Sequence, residues 1–160
     1  MEVPRTAVTV ADACATVAAA FPLGAREQVL QSALEAELQL AHMTVRREVP
    51  VPIVYRSMPL GHDARGREDL VVLENDDYFI LELKQSKRLE QKDFSQLFRY
   101  MRAREQLGPR VHGVLVLFGE TATEVWYARA GPGSTFERVR IFAAEHTEPR
   151  VVTHEEFTVA

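Results

Sequence analysis

The chain has 160 residues, 46% of them hydrophobic and 26% charged, with a formal net charge of -4. Those proportions exclude an extended disordered chain and fit a single domain burying about two thirds of its unfolded surface. The net charge does not point to nucleic acid, and the single cysteine, Cys14, excludes an internal disulfide and a cysteine-based zinc site and suggests a reducing compartment.

Residues from about Val10 to Ala20 read as a helix, with Thr9 as N-cap and Pro22 and Gly24 closing it. Ala13 to Phe21 is apolar, but Asp12 interrupts the run, so a secretory leader is not expected. No stretch approaches the roughly eighteen apolar residues of a membrane span. The protein is expected to be soluble and intracellular. A second helix spans about Ala25 to Ala41, with Leu30, Leu34, Leu38 and Ala41 as its buried stripe. Glu27 falls within that stripe, either as an acid favoured by the helix dipole or as a group aimed at something inside.

Thr44 to Tyr55 alternates only partly and contains Pro50 and Pro52, which cannot donate to a ladder, so an edge or bulged strand is expected. Arg56 to Gly66 reads as a loop punctuated by Pro59, Gly61 and Gly66. His62 and Asp63 within it fit a surface loop better than a metal site.

Arg67 to Leu73 and Tyr78 to Lys84 are strands rich in Val, Leu, Ile, Phe and Tyr, around the turn formers Asn75, Asp76 and Asp77. With Asn75 and Asp76 at the centre of the turn, residue 73 pairs with 78, 71 with 80 and 69 with 82. This register sets the Asp69 and Glu82 carboxylates side by side on one face, with Lys84 two residues on. Two like charges about 4 Å apart repel by roughly 4 kcal/mol at an effective dielectric near 20, and a divalent cation would reverse the sign. The alternative is a solvated strand end with ordinary charged side chains.

Leu89 to Leu107 is the clearest helix, with Phe94, Leu97, Phe98 and Met101 on its core face and Gly108 as the C′ residue. Its opposite side carries Lys92, Gln96, Arg99 and Tyr100, which suit either a solvated basic face or contacts to phosphates. The span from Lys84 to Arg110 is locally basic, with Lys87 and Arg88 included. Val111 to Phe118 is a continuous apolar run expected to be a strand buried on both faces, ended by Gly119. Thr123 to Ala130 and Phe136 to Phe142 suggest a hairpin, in which Trp126 and Tyr127 point to opposite faces, one packed and one nearer solvent. The tail from Arg150 to Val159 is a candidate edge strand.

The order helix, three strands, helix, strand, with these acids in place, resembles the PD-(D/E)XK nuclease superfamily and, within it, the GxxExxY branch. The residues that carry the resemblance are Gly24 to Glu27, Arg67 to Leu70, Glu82-Leu83-Lys84, Gln96 with Tyr100, and Gly113 leading to Phe118-Gly119. Leu30 stands where the branch has its tyrosine, and Leu117 where asparagine is usual before Phe-Gly.

The resemblance implies an α/β, restriction-endonuclease-like αβββαβ core over about residues 24–119. A mixed central sheet would be flanked by helices, and a C-terminal β-hairpin extension would fill out a single domain, residues 1–160. It implies Asp69, Glu82 and the Leu83 carbonyl as ligands of Mg²⁺ or Mn²⁺, with Glu27 a further acid nearby. Lys84 would orient the attacking water and stabilise transition-state charge, and Gln96 would hold the lysine or the substrate. The implied activity is metal-dependent hydrolysis of phosphodiester bonds, with DNA the expected substrate. Lys87, Arg88, Lys92, Arg99 and Tyr100 would contact the nucleic acid. No membrane partner is expected, and a homodimer is left open. The alternatives are an inactive nucleic-acid-binding or assembly module on the same fold, and an enzyme acting on another phosphate substrate.

Overall fold

A computed structural model describes residues 1–120, 122–142 and 150–158, the last stretch and residue 142 by backbone alone. Helices α1 (Arg5–Ala20) and α2 (Glu27–Leu40) precede strands β1 (Thr44–Tyr55), β2 (Met58–Glu74) and β3 (Asp77–Lys84). Helix α3 (Gln91–Glu105) leads into β4 (Arg110–Phe118), β5 (Thr123–Ala130), β6 (Thr135–Phe142) and β7 (Arg150–Thr158). The strands form one seven-stranded sheet in sequence order. Every neighbouring pair is antiparallel except β3 and β4, which run parallel and are joined through α3. This is the mixed α/β sheet flanked by helices of a restriction-endonuclease-like fold.

The sheet is covered on both faces because its central strands are apolar on both. Val114, Leu115, Val116 and Leu117 of β4 are all 1% exposed or less. On one face, Leu30, Leu34 and Leu38 of α2 and Val10, Cys14 and Val17 of α1 pack with Leu70, Leu81, Val116 and Tyr127. On the other, Phe94, Leu97, Phe98 and Met101 of α3 pack with Ile80, Leu115, Trp126 and Phe136. Gly113 lets α3 come close, since a Cβ there would lie 2.5 Å from Met101 Sδ and 3.0 Å from Leu97 Cδ2. Trp126 and Tyr127 do point to opposite faces, but both are buried, because helices cover both sides. Among the described residues no helix is long and apolar enough to cross a membrane.

The hairpin register expected from the Asn75-Asp76 turn is present. Leu73 pairs with Tyr78 and Val71 with Ile80, and Asn75 takes the left-handed φ of 53° that the turn requires. Three boundaries differ from expectation. Helix α1 starts at Arg5, and Thr9 is no cap but lies inside it, its hydroxyl donating to the Arg5 carbonyl one turn back at 3.2 Å. Ala41 is the C-cap of α2 and exposed, while Gln31 completes the buried stripe.

The expected loop over 56–66 is instead the turn and outer half of a long β1–β2 hairpin. Arg56 and Ser57 take φ of 49° and 62° and close a two-residue turn between Tyr55 and Met58. A turn without glycine or asparagine gave no sequence signal, and Gly61 and Gly66 lie within β2. His62 and Asp63 are exposed on that strand. The bulged edge character of β1 is as expected, with register shifts between Pro50 and Pro52 and between Ile53 and Val54.

Candidate functional site

The last paired residues of the β2–β3 ladder are Leu70 and Leu81. Beyond them, carboxylates accept the amide hydrogens. The Asp69 amide donates to Glu82 Oε2 at 3.0 Å, and the Leu83 amide donates to Asp69 Oδ2 at 2.8 Å. These reciprocal bonds lock the two acids side by side. Glu82 is only 4% exposed. Both carboxyls are held above the ordinary range, first by burial, with mutual repulsion adding for Glu82 and the Lys84 ammonium opposing in each. The bland alternative of a solvated strand end does not describe this pair.

Lys84, half-buried at the end of β3, places Nζ 3.8 Å from Asp93 Oδ1. Asp93 also accepts the Glu90 amide in the capping box that starts α3, so the helix N-terminus and the lysine share one carboxylate. The Glu-x-x-Asp spacing from Glu90 to Asp93 was the available signal for this tether.

Glu27 is the first residue of α2 and is exposed. Its carboxyl is nevertheless raised, first by partial desolvation, then by Asp69 and by Glu48, with Lys84 opposing. It is therefore both an N-terminal helix acid and an electrostatic neighbour of the Asp69–Lys84 site. Gln96, on α3, donates from Nε2 to Tyr100 Oη at 2.7 Å.

Tyr100 is corrected: it does not share the solvent face of α3 but is 7% exposed within the core beneath that helix. At 100° per residue it lies about 60° from Leu97, at the margin of the stripe formed by Phe94, Leu97 and Met101, and its ring turns into that core. Lys87, Arg88, Lys92 and Arg99 are exposed beyond the end of β3 and along α3.

Three residues near the site escaped the sequence reading. Gln31, 3% exposed, donates from Nε2 to both Glu48 Oε1 and the Asp69 carbonyl, each at 3.0 Å. Glu48 sits in β1 at a φ of 52°. Glu68, fully buried, accepts from Arg104 Nη2 at 2.8 Å and from Tyr78 Oη at 2.6 Å, which fastens the residue before Asp69 to α3 and β3. Nothing in the local pattern marks a left-handed glutamate or a long-range ion pair.

Past the end of β3 opens a cleft of about 720 Å³, whose walls include Phe21, Leu23, Leu30, Gln85, Lys87 and Phe118, while Glu27, Asp69, Glu82 and Lys84 are not among its lining residues. Gln85 reaches across to donate to the Ala25 carbonyl. The cleft lies at the carboxyl ends of the parallel strands β3 and β4, the usual place for a ligand in such a sheet.

The chemistry of the donors suits a hard divalent cation: two carboxylates held together by main-chain amides. As they stand, no group of three or more His, Cys, Asp or Glu side chains among the described residues is spaced to hold a metal ion. Asp69 and Glu82 thus supply a pair, and a complete shell needs the main chain, water or phosphate.

A family model described as the PD-(D/E)XK nuclease superfamily matches residues 5–129. No curated protein and no solved structure matches the chain.

Proposed function

We propose, from the premise that this chain belongs to the PD-(D/E)XK nuclease superfamily, that it hydrolyses phosphodiester bonds in DNA with the help of Mg²⁺ or Mn²⁺. Membership of a nuclease superfamily implies a nucleic-acid partner, and members generally use divalent metals. The observation that carries the finer reading is the Asp69–Glu82 pair, clamped by two main-chain amides with Lys84 at its edge.

Asp69, Glu82 and the Leu83 carbonyl would hold the cation, with Glu27 beside them. Bound there, it would polarise the phosphate and lower the pKa of a coordinated water. Lys84 would orient the attacking oxygen and offset the charge that develops on the phosphate oxygens. Asp93 keeps that ammonium in place and Gln96 supports the substrate side. Lys87, Arg88, Lys92 and Arg99 would bind phosphates along the strand, a contact that fixes position but not sequence. Tyr100 serves by anchoring Gln96.

The GxxExxY branch is the finer family assignment, supported by Gly24 at a φ of 82°, three residues before Glu27 begins α2. We read the chain as one intracellular domain, a core of about residues 24–119 with a β extension over 120–160. Its one cysteine, buried and free, suits a reducing compartment.

A second reading, a nucleic-acid-binding or assembly module without turnover, is favoured by the lack of a preformed three-acid cluster among the described residues. Incubating purified protein with plasmid, linear and single-stranded DNA plus Mn²⁺, alongside Glu82→Ala, separates the two. Cleavage abolished by the substitution supports the nuclease; DNA binding without cleavage in either protein supports the module.

A further inference from the structure

Five non-glycine residues among the described ones have positive φ, and four of them, His42, Arg56, Ser57 and Asn75, lie in turns between elements. Glu48 is the exception, at 52° in the middle of β1. The left-handed region costs an L-residue roughly 1–2 kcal/mol, and such a residue persists only where its surroundings hold it. What holds Glu48 is Gln31, whose buried amide nitrogen binds Glu48 Oε1 and the Asp69 carbonyl at 3.0 Å each.

The ladder explains where this puts the carboxylate. Arg47 pairs with Leu70 and Val49 with Glu68, so the residue between them comes opposite Asp69. Holding a strand residue in the left-handed conformation is unfavourable in the backbone and, because it sets an acid opposite Asp69, in charge, the latter partly screened because Glu48 is exposed; Lys84 is already engaged with Asp93. A divalent cation beside Asp69 removes the second penalty.

We propose that Glu48 is a further carboxylate of the divalent-cation site, held there by Gln31 as a positioning residue. The inference rests on the reading of Asp69 and Glu82 as a cation site; because no three acid side chains among the described residues are spaced to hold an ion together, Glu48 would act on it through a coordinated water.

The test is calorimetric titration of the full chain with Mn²⁺ alone, paired with thermal unfolding in EDTA. Glu48→Gln keeps the size and the oxygen that Gln31 binds, and it is expected to weaken Mn²⁺ binding about 10- to 100-fold while the metal-free melting temperature stays equal or rises. Gln31→Met is expected to weaken binding as well, and adding it to Glu48→Gln should bring little further loss, because both act through one carboxylate. Wild-type Mn²⁺ affinity in Glu48→Gln would overturn the proposal, as would a lowered metal-free melting temperature with affinity unchanged. Failure of the underlying reading has a different signature: no Mn²⁺ binding in the wild type, or binding untouched by Glu82→Gln.

Discussion

Glu82 Oε2 accepts the backbone amide of Asp69 at 3.0 Å, so two acids that want to separate are fixed side by side by the sheet itself. Strand β2 cannot move Asp69 away without giving up that bond and the matching one from Leu83 to Asp69 Oδ2. The fold thereby keeps a site whose negative charge is relieved only by a proton or a cation.

A pH dependence follows. Both folded carboxyls are raised above the values they have in the unfolded chain, as are those of Glu27 and Glu68. Between the ordinary carboxylate range and the raised folded values, the unfolded chain gives up protons that the fold retains. Their contribution is complete below the ordinary range and is lost as pH climbs toward the folded values. In EDTA the melting temperature should fall from pH 5 to pH 8, and Asp69→Asn with Glu82→Gln should flatten that fall. For a chain of this length each kcal/mol corresponds to about 2–4 °C. Saturating Mn²⁺ should restore the wild-type melting temperature at pH 8 and leave the double variant unmoved. Scanning fluorimetry across pH checks both; a wild type whose melting temperature rises over this range contradicts the sign.

Substituting Lys84 tests the proposed chemistry separately from cation binding. Its ammonium sits 3.8 Å from Asp93 Oδ1 and opposes the proton affinity of Asp69 and Glu82. Lys84→Met removes the charge and keeps most of the stem. Cleavage should drop by about 10²–10³-fold, the usual loss when a group that stabilises transition-state charge is removed. Mn²⁺ affinity should hold or increase, since the carboxylates lose a competing cation. Single-turnover cleavage beside calorimetry measures the two effects separately, and full activity in the variant would remove Lys84 from the chemistry.

Glu68 and Arg104 test what supports Asp69 from behind. Glu68 is fully buried and bound to Arg104 and Tyr78, with Oε2 lacking a hydrogen-bond partner among the described residues. Arg104 also donates to the Pro50 carbonyl at 3.2 Å and lies over the Tyr78 ring. Arg104→Met should destabilise by about 3–5 kcal/mol, because it strands the carboxyl in an apolar setting. Adding Glu68→Gln should recover much of that loss. Urea unfolding of the two variants checks the order; equal stability of both would mean that the pair carries no net coupling.

How far the sequence could be read depends on how local each signal is. The β2–β3 register was legible because Asn75 and Asp76 set the turn; the pairing holds as far as Leu70 and Leu81, and Asp69 and Glu82 meet just beyond it through their side chains. The core face of α3 was legible from the spacing of Phe94, Leu97, Phe98 and Met101. The outer half of the β1–β2 hairpin was not, since Arg56 and Ser57 adopt left-handed backbone without the residues that announce it. Glu48 was hidden for the same reason. Tyr100 was misplaced because its hydroxyl made an amphipathic surface position plausible, whereas the ring is in the core and only the hydroxyl meets Gln96. Gln31 and Glu68 join residues distant in the chain, and one sequence holds no record of that.

The basic surface along α3 gives the last prediction. Lys87, Arg88, Lys92 and Arg99 are exposed, and the one ion pair of Lys92 described, to Glu90 at 3.4 Å, is solvent-exposed and so easily exchanged for phosphate. Binding that uses all four against duplex DNA should fall with salt at a slope of about -3 to -4 on logarithmic axes, since each neutralised phosphate contributes about -0.9. Lys92→Ala and Arg99→Ala should each reduce that slope by about 1 and weaken all sequences alike. Tyr100→Phe should leave the slope unchanged, because its ring is buried and only the Gln96 bond is lost. Fluorescence anisotropy with labelled duplex over a salt series, in Ca²⁺ to limit cleavage, distinguishes these outcomes. A slope untouched by both charge removals would place the DNA on another face of the protein.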